Sequence, residues 1–231
     1  MKSILAPDRN PIKPAFVPPP GACDAHCHIF GPAAMFPYAP ERRYTPADAP
    51  KDMLRALHEH LGLERAVLVQ ASCHGSDNRA MMDAIADSGG LMRGVAMVDP
   101  TVTDRELQAL HAGGVRAVRF NFVAHLGGAP DLAATAAIIE RITPLGWHIV
   151  LHLDAEDLHT YRGFLDGLRV PFIIDHMGRP PAAHGLDQAP FRSMLDVMKN
   201  PLAWVKVSGP ERISSWPAIR SGCGRFRNTP V

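Results

Sequence analysis

Cysteine is scarce in this chain of 231 residues: there are four, and no two of them form a Cys-x-x-Cys pair. That argues against a disulfide framework and fits a reduced, cytoplasmic setting. Charge of one sign is equally lacking. The 24 Lys and Arg residues are interspersed with 23 Asp and Glu, for a net charge of +1. Without a basic block there is no electrostatic footprint for nucleic acid or for a membrane surface. No apolar run approaches the roughly 18 residues of a membrane-spanning helix. Residues 1–20 have no apolar core of the about 7–15 residues that a secretory signal carries. Two further signatures are missing: no glycine-rich phosphate fingerprint follows any apolar run, and there is no G-x-S-x-G nucleophile elbow.

Histidine is what the chain has in quantity, with twelve residues, several of them at the ends of apolar runs. Seven short β-branched runs recur at 22–28, 66–71, 94–98, 116–121, 148–153, 172–175 and 204–207. Amphipathic stretches at 50–61, 77–88, 104–112, 131–142, 155–165 and 190–198 separate them. Asp104 and Asp131 stand where helix N-caps belong, and Gly62, Gly89 and Gly113 just past helix ends. Strands alternating with helices predict parallel pairing through right-handed crossovers. Polar residues gather at the C-terminal ends of the runs: His26 and His28, Ser72 and His74, Asp99, Arg119 and Asn121, His152 and Asp154, Asp175 and His176, Ser208. In a barrel those ends converge on one mouth, whereas a doubly wound sheet gathers them at a single switch point.

The expected fold is therefore α/β, a (β/α)8 TIM barrel that stops after its seventh strand. Residues 1–20 read as an N-terminal arm, 21–213 as the barrel domain and 214–231 as an atypical tail without periodicity. The tail is either disordered or the product of truncation or a frameshift, and truncation is the expectation. The proline-bearing segment 30–50, with Tyr38 and Tyr44, is expected to lie over the mouth, because loops of that length in compact domains are functional or disordered.

His26 and His28 flank one residue of a strand and so share a face, a spacing suited to a common ligand or catalytic role. Asp24 is expected to point away and support the turn. Ser72 and His74 share parity and can present donors to the mouth; as a nucleophile–base pair they lack an elbow. Arg119 at a strand end suits bidentate recognition of a carboxylate, with a rim salt bridge as its other reading. His152 can bind metal or substrate, or stand behind a ligand. His176 brings a third imidazole, and three imidazoles from separate strands either hold Zn²⁺ or polarise a carbonyl without it. Arg119, Arg179 and Arg212 together suit a polyanionic small molecule, most simply a di- or tricarboxylate.

With DAHCHIFGP, VQASCHGSDN, VRFNF, GWHIVLHLD, IDHMGRP and GPER in that order, the chain resembles the amidohydrolase superfamily. It is most similar to the 2-pyrone-4,6-dicarboxylate lactonase group, over about residues 14–213. The resemblance implies hydrolysis of a carboxylated lactone, in aromatic catabolism, by water attack on the ring carbonyl. His26, His28 and His176 would polarise that carbonyl and stabilise the oxyanion. Tyr44, Ser72, His74, Arg119 and Arg212 would bind the ring and its carboxylates, with His125, His152 and Arg179 completing the mouth. His125 stands where the group has an arginine and His152 where it has a tyrosine, which leaves room for sugar lactones. A metal-dependent decarboxylase of the same superfamily and a non-catalytic remnant are the other readings. The resemblance implies no required metal, with one Zn²⁺ at His26 and His28 as the alternative. The group's general base is an aspartate ending the eighth strand, and no aspartate follows Asp196. Loss of such a base costs about 10²–10⁴-fold in rate, so the expectation is a poorly folded or nearly inactive chain.

Overall fold

Seven strands form where the seven apolar runs lie, and each pairs in parallel with its neighbour in chain order. The computed structural model describes residues 6–214. Its strands are β1 (Cys23–Cys27), β2 (Arg65–Val69), β3 (Met92–Ala96), β4 (Val115–Asn121), β5 (His148–His152), β6 (Phe172–Ile174) and β7 (Ala203–Val205). Its helices are α1 (Lys51–Leu61), α2 (Arg79–Ala86), α3 (Asp104–Ala112), α4 (Leu132–Ile142), α5 (Arg162–Gly167), α6 (Ala189–Val197) and the single turn α7 (Pro210–Ile213). An unbroken β1-to-β7 order is that of a barrel wall built by right-handed crossovers, with no reversal to make a switch point. Among the described residues no further strand joins β7 to β1, so these two are the edges of the curled sheet. The tail expected at 214–231, and the truncation read from it, lie outside the described residues apart from Ser214.

The pleat sorts side chains into two layers. Leu68, Val118, Phe120, Ile149, Leu151, Phe172 and Ile174 pack outward under the helices. Each contributes roughly 1.5–3 kcal/mol by leaving water. Val69, Val95, Ala117 and Val150 face inward with Val67 and Ile173, small enough to fill a narrow interior. Two register shifts break the alternation, one in β1 between Asp24 and Cys27, the other in β3/β4 between Gly94 and Val95. An inserted residue re-aims the side chains after it. Asp24 and His26 are two apart and would share a face on a regular strand. The β1 shift instead turns Asp24 toward α1, where its Oδ2 meets His58 Nε2 at 3.0 Å, while His26 turns inward.

Local chemistry sets the helix ends. Asp131 caps α4 as expected, its Oδ1 accepting from the Ala133 and Ala134 N–H groups. Thr103, not Asp104, caps α3, in a capping box with Glu106. Gly62 ends α1 in the left-handed conformation (φ 75°), whereas Gly113 does not need it (φ −78°). The stretch at 155–165 is not one helix. It divides into a 3-10 turn, Ala155–Asp157, and the short α5, in keeping with the weak helix formers His159, Thr160 and Tyr161 between them.

The 30–50 segment is a closed loop over the mouth. Phe30 and Ala49 exchange backbone hydrogen bonds at 3.0 and 2.8 Å, and Asp48 accepts from the Ala33 N–H and Tyr38 Oη at 3.1 and 2.8 Å. Residues 8–11 of the arm share a cleft with Met53, Ala56, Leu57 and His60 of α1.

Candidate active site

A cavity of about 590 Å³ opens at the C-terminal ends of the strands. Among the expected site residues, His28, Tyr44, Ser72, Arg119, His125, His152, His176, Arg179 and Arg212 line it. His26 lies just beneath, its ring centroid 5.0 Å from that of His28 and 4.8 Å from that of His176. His74 is not brought to the cavity. Residues Ser72–His74 form a 3-10 turn, so the alternation of a strand does not apply to them. Both nitrogens of the buried His74 hold the loop instead: Nε2 accepts the Gly31 N–H at 3.1 Å, and Nδ1–H donates to the Pro37 carbonyl at 3.3 Å. Ser72 Oγ remains at the mouth, 3.3 Å from Tyr44 Oη.

Beneath the cavity sits a fully buried carboxylate. Asp175 is 0% exposed and is approached by Arg119 Nε at 3.2 Å, Lys206 Nζ at 3.3 Å and His26 Nδ1 at 3.4 Å. Burial by itself would raise its pKa. The contact with His26 and the charges of Arg119 and Lys206 outweigh burial and hold the carboxyl well below the usual range. Three elements, β1, β4 and β7, thus converge on the end of β6.

The imidazoles are neutral at physiological pH. Burial, then the charges of His26 and Arg119, brings His28 down to about 3. Burial, then Arg119, brings His152 to about 2, and burial, then Arg212, brings His176 to about 3. Burial lowers His26 too, against the opposing pull of Asp175. A neutral ring has one donor and one acceptor nitrogen, assigned by its partners. His28 donates Nδ1–H to the Val69 carbonyl at 2.7 Å, so its Nε2 presents a lone pair. His152 donates Nδ1–H to Asn121 Oδ1 at 3.2 Å, which leaves a buried Nε2 lone pair without a partner. His26 Nδ1 lies between Lys206 Nζ at 2.9 Å and Asp175 Oδ1 at 3.4 Å, while its Nε2 is buried without a partner. His176 Nδ1 lies 3.0 Å from Ser208 Oγ.

His176 reaches the mouth through strain. Asp175 faces inward, so a continued strand would turn His176 outward. Instead His176, Met177, Gly178 and Arg179 all take positive φ, at 54°, 57°, 63° and 55°. This left-handed turn costs about 1–2 kcal/mol for each non-glycine residue. It is held by the Met177 N–H to the Lys206 carbonyl (3.0 Å), by Ser208, and by Arg179 on Asp154 (2.6 Å). Glycine suits position 178 because its φ is 63° and a Cβ there would press on Ala155 at 3.2 Å.

Four arginines line the cavity, and among the described residues no carboxylate does. Arg119 is turned toward Asp175 and Arg179 is neutralised by Asp154. Arg212 meets only the half-exposed Glu211, at 3.3 Å, and Arg43 makes no ion pair among the described residues. Sequence reasoning missed Arg43, Lys206 and the role of Asp175. Period two would have found Lys206: Trp204 pairs with the inward Ile173, which puts position 206 on the same inner face as Asp175.

Ligand atoms of His26, Asp175 and His176 lie within 4.8 Å of one another, a grouping able to hold a metal ion; His28 is not part of it. The Lys206 ammonium already stands against both His26 Nδ1 and Asp175 Oδ1. As arranged, that edge of the group does not fit a metal. A second group, Asp24, Cys27 and His58, lies on the α1 side of the sheet.

Comparison with known proteins bears on this arrangement. The chain is 51% identical over 206 residues to the 2-pyrone-4,6-dicarbaxylate hydrolase of Comamonas testosteroni, covering 89% of this chain and 68% of that one. It is 37% identical over 206 residues to the 4-sulfomuconolactone hydrolase of Hydrogenophaga intermedia, covering 89% and 67%. The crystal structure of a probable 2-pyrone-4,6-dicarboxylic acid hydrolase from Acinetobacter baumannii, with citric acid bound, superposes with a TM-score of 0.76 at 27% identity, over 87% of this chain and 75% of that one. The amidohydrolase family model matches residues 23–227, and with a seven-stranded parallel wall that carries its histidines and arginines at one mouth, the chain belongs to the amidohydrolase family.

Proposed function

We infer that this protein is a hydrolase that opens a carboxylated lactone by addition of water to the ring carbonyl. The observation that carries the reading is the cavity lining: four arginines, four histidines of which His28, His152 and His176 are held neutral by burial and neighbouring cations, and, among the described residues, no carboxylate. Guanidinium groups recognise carboxylates by paired, charge-assisted hydrogen bonds, and Arg43, without a carboxylate partner among the described residues, favours an anionic substrate over a neutral sugar lactone. The relatives named for 2-pyrone-4,6-dicarboxylate and 4-sulfomuconolactone hydrolysis support the same class.

The side chains divide the chemistry. Arg43 and Arg212, with Tyr44 and Ser72, bind the anionic groups of the ring. His176, held by Ser208, faces the carbonyl and donates to the oxygen as it becomes an oxyanion. His28 has its proton fixed on Val69, so its Nε2 lone pair orients the attacking water rather than polarising the carbonyl. His26 acts from beneath the cavity, tied to Lys206 and Asp175. The family resemblance gives His26, His28 and His176 one shared role; their different partners support separate ones.

The test is turnover of 2-pyrone-4,6-dicarboxylate, followed by loss of the pyrone absorbance and by pH-stat proton release. Ring opening that falls with His176→Ala is the expected result. Absence of turnover and of saturable binding for any di-anionic lactone overturns the reading.

A further inference from the structure

Members of the amidohydrolase family are often metal-dependent, and His26, Asp175 and His176 lie close enough to share an ion. We propose that Lys206 is the resident cation of this cluster, a side chain standing between His26 and Asp175 where a divalent metal bridging them would bind, so that the site keeps such a metal out.

The geometry is specific. His26 meets Asp175 through Nδ1, 3.4 Å from Oδ1, and an ion bridging the two along that edge would take this nitrogen. Lys206 Nζ lies 2.9 Å from that nitrogen and 3.3 Å from that oxygen. An ammonium offers three donors and one positive charge; it stands within hydrogen-bond distance of His26 Nδ1 and in ion-pair contact with Asp175 Oδ1, on the edge a metal would use. Bringing an ion in would require displacing Lys206 into the interior, with a second cation, Arg119, already on the other oxygen of Asp175 at 3.2 Å. Lys206 cannot readily withdraw. Its backbone carbonyl accepts the Met177 N–H, and its own N–H is bonded to the Ile174 carbonyl at 2.9 Å, so β6 and the left-handed turn fix its base. The side chain itself is only 13% exposed. A resident ammonium gives the carboxylate its counter-charge and holds the His26 ring in place, two tasks that a metal performs in other sites.

The proposal concerns the site described under the hydrolase reading and rests on it for location, but it is measured without substrate, so the two can fail separately. Purified full-length wild type and Lys206→Met are equilibrated with Zn²⁺, freed of excess by gel filtration and analysed for metal content; Co²⁺ binding is followed by its visible d–d absorption. Wild type is expected to retain no stoichiometric Zn²⁺ and to give no tetrahedral Co²⁺ spectrum. Lys206→Met is expected to retain close to a molar equivalent, bound more than about tenfold tighter than in wild type, a change of about 1.4 kcal/mol. Lys206→Arg, which keeps the cation, should behave as wild type, and adding His176→Ala to Lys206→Met should abolish the gain. Stoichiometric Zn²⁺ in wild type that is lost in His176→Ala overturns the proposal whether or not the lysine variants fold. So does a Lys206→Met protein, or Lys206→Gln if the methionine variant aggregates, that melts like wild type and gains no metal.

Discussion

Lys206 Nζ lies 2.9 Å from His26 Nδ1, a contact across 180 positions of sequence that joins the end of β7 to β1. No strand pairing bridges these two edges among the described residues. The polar contact, with Asp175 between the partners, therefore spans the seam that backbone hydrogen bonds do not.

That arrangement makes Arg119 a stability residue as well as a binding one. Arg119→Met removes one of the two full cations beside a carboxylate that has no access to water. Breaking a buried pair on one side costs about 3–5 kcal/mol. Urea denaturation should show that loss, with Arg119→Lys recovering part of it. A midpoint unchanged in Arg119→Met would mean that Lys206 alone compensates Asp175.

His176→Ala removes the donor proposed for the developing oxyanion. The expected loss is about 10²–10³ in kcat with KM changed little, since the anionic groups of the substrate are held by other residues. Steady-state kinetics on 2-pyrone-4,6-dicarboxylate separates the two constants. A rise in KM alone would place His176 in binding instead.

Arg43 is the cavity cation with no carboxylate partner among the described residues. Arg43→Ala should weaken a di-anionic lactone by about 1.5–3 kcal/mol, the range for charge-assisted hydrogen bonds, and a mono-anionic one by much less. Binding of the two ligands measured by calorimetry provides the comparison. Equal losses for both would remove Arg43 from the recognition of a second anionic group.

His74 holds the mouth loop from below, through Gly31 and Pro37. His74→Ala should leave those backbone groups unpaired and loosen residues 30–50. Tryptic cleavage after Arg42 or Arg43 should then become faster, while activity falls through KM. Protease resistance equal to wild type would argue that the Phe30–Ala49 pairing holds the loop unaided.

The shifted histidines give stability a pH dependence of definite sign. His28, His152 and His176 sit at about 3, 2 and 3 in the folded protein, against about 6.5 in an unfolded chain. Between those values the unfolded chain binds more protons, so stability rises with pH. It is fully present above about pH 7 and is lost as pH falls through 6.5 toward 3. Thermal melts from pH 8 to pH 4 should show a flat Tm above 7 and a steady fall below it. A Tm constant from pH 7 to pH 5 would mean these rings are charged in the folded state.

The strands were legible because their apolar runs are short, β-branched and bounded by helical stretches, and the polar cap on nearly every run announced a barrel mouth. His28, Arg119 and His152 come directly from that pattern, since each stands an even number of places from an inward neighbour. His74 was misread for a local reason: the chain leaves extended geometry right after β2, and parity has no meaning on a 3-10 turn. Lys206 was overlooked although its parity was available, because its partner lies on β1 and no pattern within β7 points there.

The sequence by itself determined the alternation of strand and helix, the parallel order and the end of the sheet at which the chemistry gathers, because these depend on side-chain periodicity and short-range propensity. Tertiary structure alone decided which way the key groups face and what charge they carry. The β1 register shift separates Asp24 from His26, a left-handed turn aims His176, and Asp175 becomes an anion only because three residues from distant strands enclose it. Backbone irregularities and buried electrostatics depend on contacts between residues far apart in the chain, and local sequence patterns do not encode those distances.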